Sequence, residues 1–247
     1  MKSYFTMLKT ELKLSLRGMD MVIFAICMPI VILIVLGLIY GDKPAFEGAS
    51  YTFVEQSFGA IASIAIVAGG VMGLPLVISD YREKQVLKRY QVTPIRPIKL
   101  LLVQVTIYTL YAILSLITLV IVARLFFSFS MQGSLGEFIF GWLIVLISMF
   151  SIGIMVGGIA KNTKIAGIIA SLLYFPMLIF SGATLPYEIM PVPMQKIVDI
   201  LPLTQGIKIL KAASLGTPLE STLLPIIILG CISLVCSFIA IRFFRWK

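Results

Sequence analysis

Six stretches of this chain, at 22–40, 58–79, 100–123, 138–159, 166–184 and 223–241, run for nineteen residues or more without an Asp, Glu, Lys or Arg. At about 1.5 Å of rise per residue, a helix of that length covers the roughly 30 Å hydrocarbon core of a bilayer. Each run therefore predicts a spanning helix, and the fold class that follows is an all-α integral membrane protein with six transmembrane helices. No remaining segment needs a soluble fold, so residues 1–247 read as a single transmembrane domain. Composition agrees, with 60% hydrophobic residues where soluble domains hold about 45–50%. The first run lacks a small-residue cleavage site after a short core and reads as a span rather than a cleavable signal.

The loops set the expected orientation. Between the second and third runs lies a basic island, Asp80 to Lys99, with Arg82, Lys84, Lys88, Arg89, Arg96 and Lys99 against only Asp80 and Glu83. Cytoplasmic loops carry the Lys/Arg excess, which places this island inside the cell. Alternation then puts 1–21, 80–99, 160–165 and 242–247 on the same side, and these segments hold fifteen of the twenty Lys and Arg residues. The expectation is a multi-pass protein of the cell membrane with both termini cytoplasmic and with 41–57, 124–137 and 185–222 outside. Residues 1–20 predict an amphipathic, interfacial helix on the cytoplasmic surface, because Tyr4, Leu8, Leu12, Leu16 and Met19 recur at helical spacing beside Lys9, Lys13 and Arg17. A basic tail that only sets topology is the alternative.

The 185–222 segment is apolar enough to tempt a seventh span. Lys196, Asp199, Lys208 and Lys211 would each cost a few kcal/mol at membrane depth, and Pro202 and Gly206 interrupt the run. Two short extracellular helices broken at Pro202 are expected instead, re-entrant or interfacial, capping the outer end with Leu201, Ile207 and Leu210 on their apolar faces.

Much chemistry is excluded. The chain contains no histidine, so His-based catalysis, metal sites and proton relays are absent. It has no GxxxxGK[ST] phosphate loop, GxGxxG, GxSxG or HExxH. Cys27, Cys231 and Cys236 all fall inside apolar runs and read as packing residues. The net charge of +9 is scattered between the apolar runs, which argues for topology and against nucleic acid. Asp20, Asp42, Glu55, Asp80, Glu137 and Glu188 read as solvated helix-end or loop charges. Within the spans only neutral groups such as Gln104, Thr106, Tyr108, Tyr111, Ser148, Ser151 and Tyr174 are available, whereas ion-coupled carriers and channels usually hold intramembrane charge. That disfavours a self-contained secondary carrier or channel, and energy is expected from another chain. Gly69, Gly70, Gly73, Gly153, Gly157 and Gly158 let helix backbones approach, within one bundle or at a face between subunits.

The island could be a solvated topology signal, or a short cytoplasmic helix from Tyr81 to Tyr90 that tilts the spans on either side of it. Its pattern, Arg82-Glu83-Lys84, Leu87-Lys88-Arg89 and Thr93-Pro94, resembles the coupling region of permease subunits of ATP-binding-cassette exporters of the second permease class, which includes drug, lipid and polysaccharide exporters. The outer segment matches as well, through Ser181-Gly182, Leu185-Pro186, Met190-Pro191, Leu201-Pro202-Leu203-Thr204 and Leu215-Gly216. A departure is Gln85-Val86, where the family commonly has Gly-Thr. The resemblance implies a half-transporter of bacterial type, working with two separate ATPase subunits that hold the ATP and Mg, and with a second copy or a paralogous permease in the bilayer. This chain would bind no cofactor and carry no catalytic site. Arg82, Glu83, Lys84, Leu87, Lys88, Arg89, Thr93 and Pro94 would be the ATPase-coupling residues, with Leu87 as an apolar knob. Pro186, Leu201, Pro202, Ile207 and Leu210 would form the extracellular cap. Amphipathic or lipid-like cargo (a drug, an antimicrobial peptide or a lipid) suits the apolar spans, and multidrug resistance is the associated role; the pathway lining is not assigned.

Overall fold

The computed structural model describes residues 2–19, 21–41, 43–45, 48–86, 98–182, 187, 190–217 and 222–243, and among them the secondary structure is helical with one isolated bridge, Pro44 to Thr52. An amino-terminal helix α1 (Lys2–Gly18) is followed by α2 (Val22–Tyr40), α3 (Phe53–Glu83), α4 (Ile98–Phe127), α5 (Leu135–Ile159) and α6 (Thr163–Phe180). Two shorter helices, α7 (Val192–Val198) and α8 (Pro202–Leu215), precede α9 (Leu223–Phe243). Helices α2 to α6 and α9 are the six that are long and apolar enough to cross a membrane, and they lie over the six apolar runs.

Helix α3 is the axis of the bundle. In its apolar window 83% of residues are buried, against 22% for α2 and α9, and it packs on α2, α4, α5, α6 and α8. Glycine allows this. A Cβ on Gly153 of α5 would stand 1.8 Å from the Gly70 carbonyl oxygen of α3, and one on Gly157 would stand 3.0 Å from Pro75 Cα. In a bilayer, where lipid is as apolar as Leu, such close backbone approach is a main source of helix association. The glycines therefore serve packing inside this chain. Both π-helical stretches, Val22–Cys27 and Ala68–Gly73, end just before a proline, Pro29 and Pro75. Proline has no N–H and its ring crowds the preceding turn, and a widened turn relieves both problems without breaking the helix.

Charge at the ends of α3 is satisfied by the chain itself. At its amino-terminal end Thr52 and Glu55 form a reciprocal capping box, and Glu55 Oε1 also accepts from Ser130 Oγ at 2.8 Å. Glu55 is buried, which corrects its reading as a solvated helix-end charge. The cap ties the start of α3 to the turn after α4.

Helix α8 does not lie on the surface. Its fourteen residues rise only about 20 Å, too short to cross, and it is wedged among α3, α5 and α9. Leu203 and Leu210 are fully buried. Close approach again depends on glycine, with Gly59 against the Leu210 backbone and Gly206 against Val145. Pro202 occupies the first turn, where a missing N–H costs nothing, and Gly216 closes the helix at φ 71°. The segment before α5 seals that end, since Gln132 and Gly133 donate backbone N–H groups to Ser214 O at 3.1 and 3.0 Å.

Candidate functional site: the inner end of the central helix

We term the end of the bundle that holds α1, residues 80–86 and the α5–α6 turn the inner end, after the basic bias of the sequence. Here the last turn of α3 places three consecutive side chains about 100° apart, and each engages a different part of the molecule.

Tyr81 donates its hydroxyl to Glu11 Oε2 of α1. Gln104 of α4 completes the triangle, its Nε2 donating to Glu11 Oε2 at 3.0 Å and to Tyr81 Oη at 2.7 Å. Further polar contacts fix α1 along α4: Tyr4 Oη meets Thr106 Oγ1 at 2.6 Å, and Tyr111 donates to Ser15 Oγ at 2.9 Å. The apolar face read from the sequence is divided between two surroundings. Tyr4, Leu8 and Leu12 pack on the protein core, while Leu16 and Met19 stay exposed beside Lys9, Lys13 and Arg17.

Arg82 is only 8% exposed. Its guanidinium donates to the carbonyls of Gly157 and Gly158, each at 3.0 Å, and of Ala160. These carbonyls close α5, where the last turn of a helix leaves acceptors without intrahelical partners and carries the negative end of the dipole. A planar fork of donors can serve three of them together, which a Lys ammonium cannot do in the same geometry.

Glu83 faces the opposite polarity. Its Oε2 accepts from the Thr163 N–H at 3.0 Å, the first amide of α6. Asn162 caps the same helix by accepting from Ile165 N at 2.9 Å. Arg82 and Glu83 thus grip both sides of the α5–α6 turn, at the carboxyl end of one helix and the amino end of the next.

Lys84 projects outward and pairs with Asp80 at 2.9 Å, with side chains 68% and 36% exposed. It also ends α3, because Gln85 adopts φ 56°. That left-handed conformation favours glycine, the residue the resembled family commonly carries there. A continuous helix from Tyr81 to Tyr90 is therefore corrected: α3 runs through Glu83 and breaks at Lys84-Gln85. Leu87, Lys88, Arg89, Thr93 and Pro94 lie outside the described residues. Of the expected coupling residues that are described, Glu83 and Lys84 are exposed, Glu83 while bonded to the Thr163 N–H, and Arg82 is buried. The Arg82 guanidinium is buried against the end of α5.

The outer segment has its own network. Lys208 Nζ lies 2.7 Å from Asp199 Oδ1 and 5.1 Å from the Tyr187 ring centroid, and Tyr187 donates to Asp199 Oδ2 at 3.1 Å. Gln205 donates to the Asp199 carbonyl at 2.6 Å. Among the expected cap residues Ile207 and Leu210 are buried core, Leu201 is half-buried at the entry to α8, and Pro202 opens that helix. Pro186 lies outside the described residues. A crevice of about 60 Å³ is lined by Gln56, Ala60, Ser181, Thr204, Ile207 and Lys208.

Sequence reasoning missed Glu11, Tyr81 and the α5–α6 turn. A signal was present in the third apolar run, whose Gln104, Thr106, Tyr108 and Tyr111 gather in its first half, and in Glu11 on the Tyr4, Leu8 and Ser15 side of α1.

Comparison with known proteins shows what these features accompany. The family model described as "ABC-2 type transporter" matches residues 2–215. The chain is 26% identical over 171 residues to the "Inner membrane transport permease YhhJ" of Escherichia coli (strain K12), covering 69% of this chain and 44% of that protein. It is 34% identical over 89 residues to "Nodulation protein J" of Rhizobium leguminosarum bv. viciae, covering 36% of this chain and 34% of that protein. The chain spans less than half the length of these curated relatives.

Proposed function

Because the chain belongs to the ABC-2 type transporter family, whose model covers residues 2–215, we propose that it is the membrane permease subunit of an ATP-driven exporter moving an amphipathic or lipid-like cargo out of the cell. Two separate ATPase subunits hold ATP and Mg, and a second copy of this chain or a paralogue completes the membrane pore. Both termini and 80–99 face the cytoplasm, and the ATPase sits against the island.

The observation that supports this reading is the spread of Tyr81, Arg82 and Glu83 over α1, α4, α5 and α6. A displacement delivered to the island just after Gln85 enters the last turn of α3. From there it is carried to the α5–α6 turn by the buried Arg82 hydrogen bonds, about 1.5–3 kcal/mol each, and by the exposed Glu83–Thr163 bond, and to α1 and α4 by the Glu11 triangle. Since α3 is also the packed axis of the bundle, the push reaches the spans as a rigid-body movement rather than local bending. Drug, antimicrobial peptide and lipid fit the apolar spans better than a sugar polymer, which needs a polar lining.

The test is purification of the chain with its ATPase, followed by export and ATP hydrolysis measured side by side in proteoliposomes. Leu87→Asp removes the apolar knob, and buried anchors of that kind contribute about 2 kcal/mol or more to an interface. It should uncouple export from hydrolysis and leave membrane insertion intact. Lys88→Ala should have a smaller, salt-sensitive effect. Wild-type export by Leu87→Asp would return the island to a topology signal, and transport without ATP would point to a self-contained carrier or channel.

A further inference from the structure

Between α1 and the inner halves of α3 and α4 lies a cleft of about 730 Å³, within the roughly 300–1,000 Å³ of small-molecule sites. Its lining changes character with depth. At the mouth are Glu11, Asp80 and Lys84, and farther in stand Phe24, Met72, Leu76 and Tyr108. Gln104, which holds Glu11, is the seventh residue of α4, about 9 Å along the axis from its start. Tyr108 lies one turn deeper. The polar mouth therefore sits at headgroup depth and the apolar floor at acyl-chain depth.

The charges at the mouth do not cancel. Asp80 and Lys84 neutralise each other at 2.9 Å. Glu11 is half-buried and hydrogen-bonded to two neutral donors, the Tyr81 hydroxyl and the Gln104 amide, and among the described residues it has no Lys or Arg partner within salt-bridge distance. Neutral donors hold a carboxylate in place without removing its charge. One negative charge therefore remains over an apolar floor that includes Met72, whose unbranched thioether adapts to varied shapes. The exposed Lys9, Lys13 and Arg17 do not line the cleft, so among its described lining residues Glu11 is the carboxylate without a basic partner.

We propose that this cleft is an entry site for a monocationic amphiphile from the inner leaflet, its positive group on Glu11 and its hydrocarbon on Met72, Leu76 and Tyr108. The proposal rests on the permease reading and narrows the cargo to cationic amphiphiles. A neutral lipid would gain only from the apolar floor and would leave the carboxylate unpaired.

The test is binding to the full chain in lipid nanodiscs without ATP or ATPase, with tetraphenylphosphonium as the cationic probe, triphenylphosphine oxide as the neutral one, and protein-free discs as the blank. Wild type should bind the cation saturably. Glu11→Gln keeps the shape and an acceptor oxygen but drops the charge, and should weaken cation binding on the order of tenfold, as loss of one charge contact at a partly hydrated site predicts, with the neutral probe unchanged. Glu11→Asp should restore most of the cation binding, which a purely structural role in the Tyr81–Gln104 triangle does not predict. Leu76→Trp fills the floor and should weaken both probes. Cation binding that is unaffected by Glu11→Gln, or lost equally in Glu11→Gln and Glu11→Asp, overturns the proposal. Failure of ATP-driven export with the binding pattern intact would count against the permease reading alone, and normal export with no dependence of binding on Glu11 against this site alone.

Discussion

The two ends of the bundle use charge in opposite ways. At the inner end, Arg82 and Glu83 reach 75 to 80 residues along the chain to hold the α5–α6 turn, and Tyr81 bonds a carboxylate 70 residues away. At the outer end, Asp199 and Lys208 lie nine residues apart and satisfy each other within one segment, and that segment is attached to the bundle by apolar burial and backbone contact at Gly59, Gly133 and Gly206. The inner end joins separate elements through directional bonds from three consecutive side chains of α3, whereas at the outer end the α7–α8 segment, a plug, satisfies its own charged pair and the long-range links described there are the Glu55–Ser130 cap and the Gln132 and Gly133 bonds to Ser214. Directional bonds transmit displacement, and a plug resists it. On this account the inner end transmits movement and the outer end closes the path.

The largest effect that sharpens this contrast is expected from Arg82→Ala. It leaves three buried helix-end carbonyls without their donor and should lower stability by about 3 kcal/mol, read as a fall in the detergent melting temperature, together with a reduced ratio of export to hydrolysis. Arg82→Lys should recover part of the stability. Gly133→Ala tests the plug, since the added methyl would stand 2.0 Å from the Ala213 carbonyl oxygen and overpacking of that kind costs about 1–3 kcal/mol. It should lower the melting temperature with the export-to-hydrolysis ratio unchanged, and a selective fall in that ratio would erase the distinction between the two ends. Glu83→Gln should speed amide exchange in the first turn of α6 without unfolding it, because Asn162 still caps that helix. A double-mutant cycle on Asp199 and Lys208, whose side chains are 37% and 38% exposed, should give a coupling below about 1 kcal/mol. Lys84→Ala should be smallest, about 0.3 kcal/mol and salt-sensitive, as for an exposed i,i+4 pair.

The six spans were legible because hydrocarbon rejects charge so strongly that uncharged runs of nineteen residues or more leave little alternative. Helix α1 was legible as amphipathic, but periodicity does not say whether an apolar face meets lipid or protein, and Tyr4, Leu8 and Leu12 meet protein. The depth of α8 was hidden by Lys208 and Asp199, which look averse to membrane depth singly but pair with each other while their side chains stay more than a third exposed. At the inner end the sequence identified Arg82 and Glu83 but not what they hold. Their partners are backbone carbonyls and an N–H, which every residue possesses and no sequence pattern marks. Glu55 illustrates the same limit, since its burial depends on Ser130, 75 residues away.

The central claim is that the end of α3 and the α5–α6 turn move as one body. Spin labels at positions 84 and 164, both exposed, in a Cys-free background of the ATPase-bound transporter would test it by the interlabel distance with and without ATP. The account predicts one narrow distribution that is the same in both states, and a broadened, ATP-dependent one after Arg82→Ala. A wild-type distance that changes when ATP is added would contradict it.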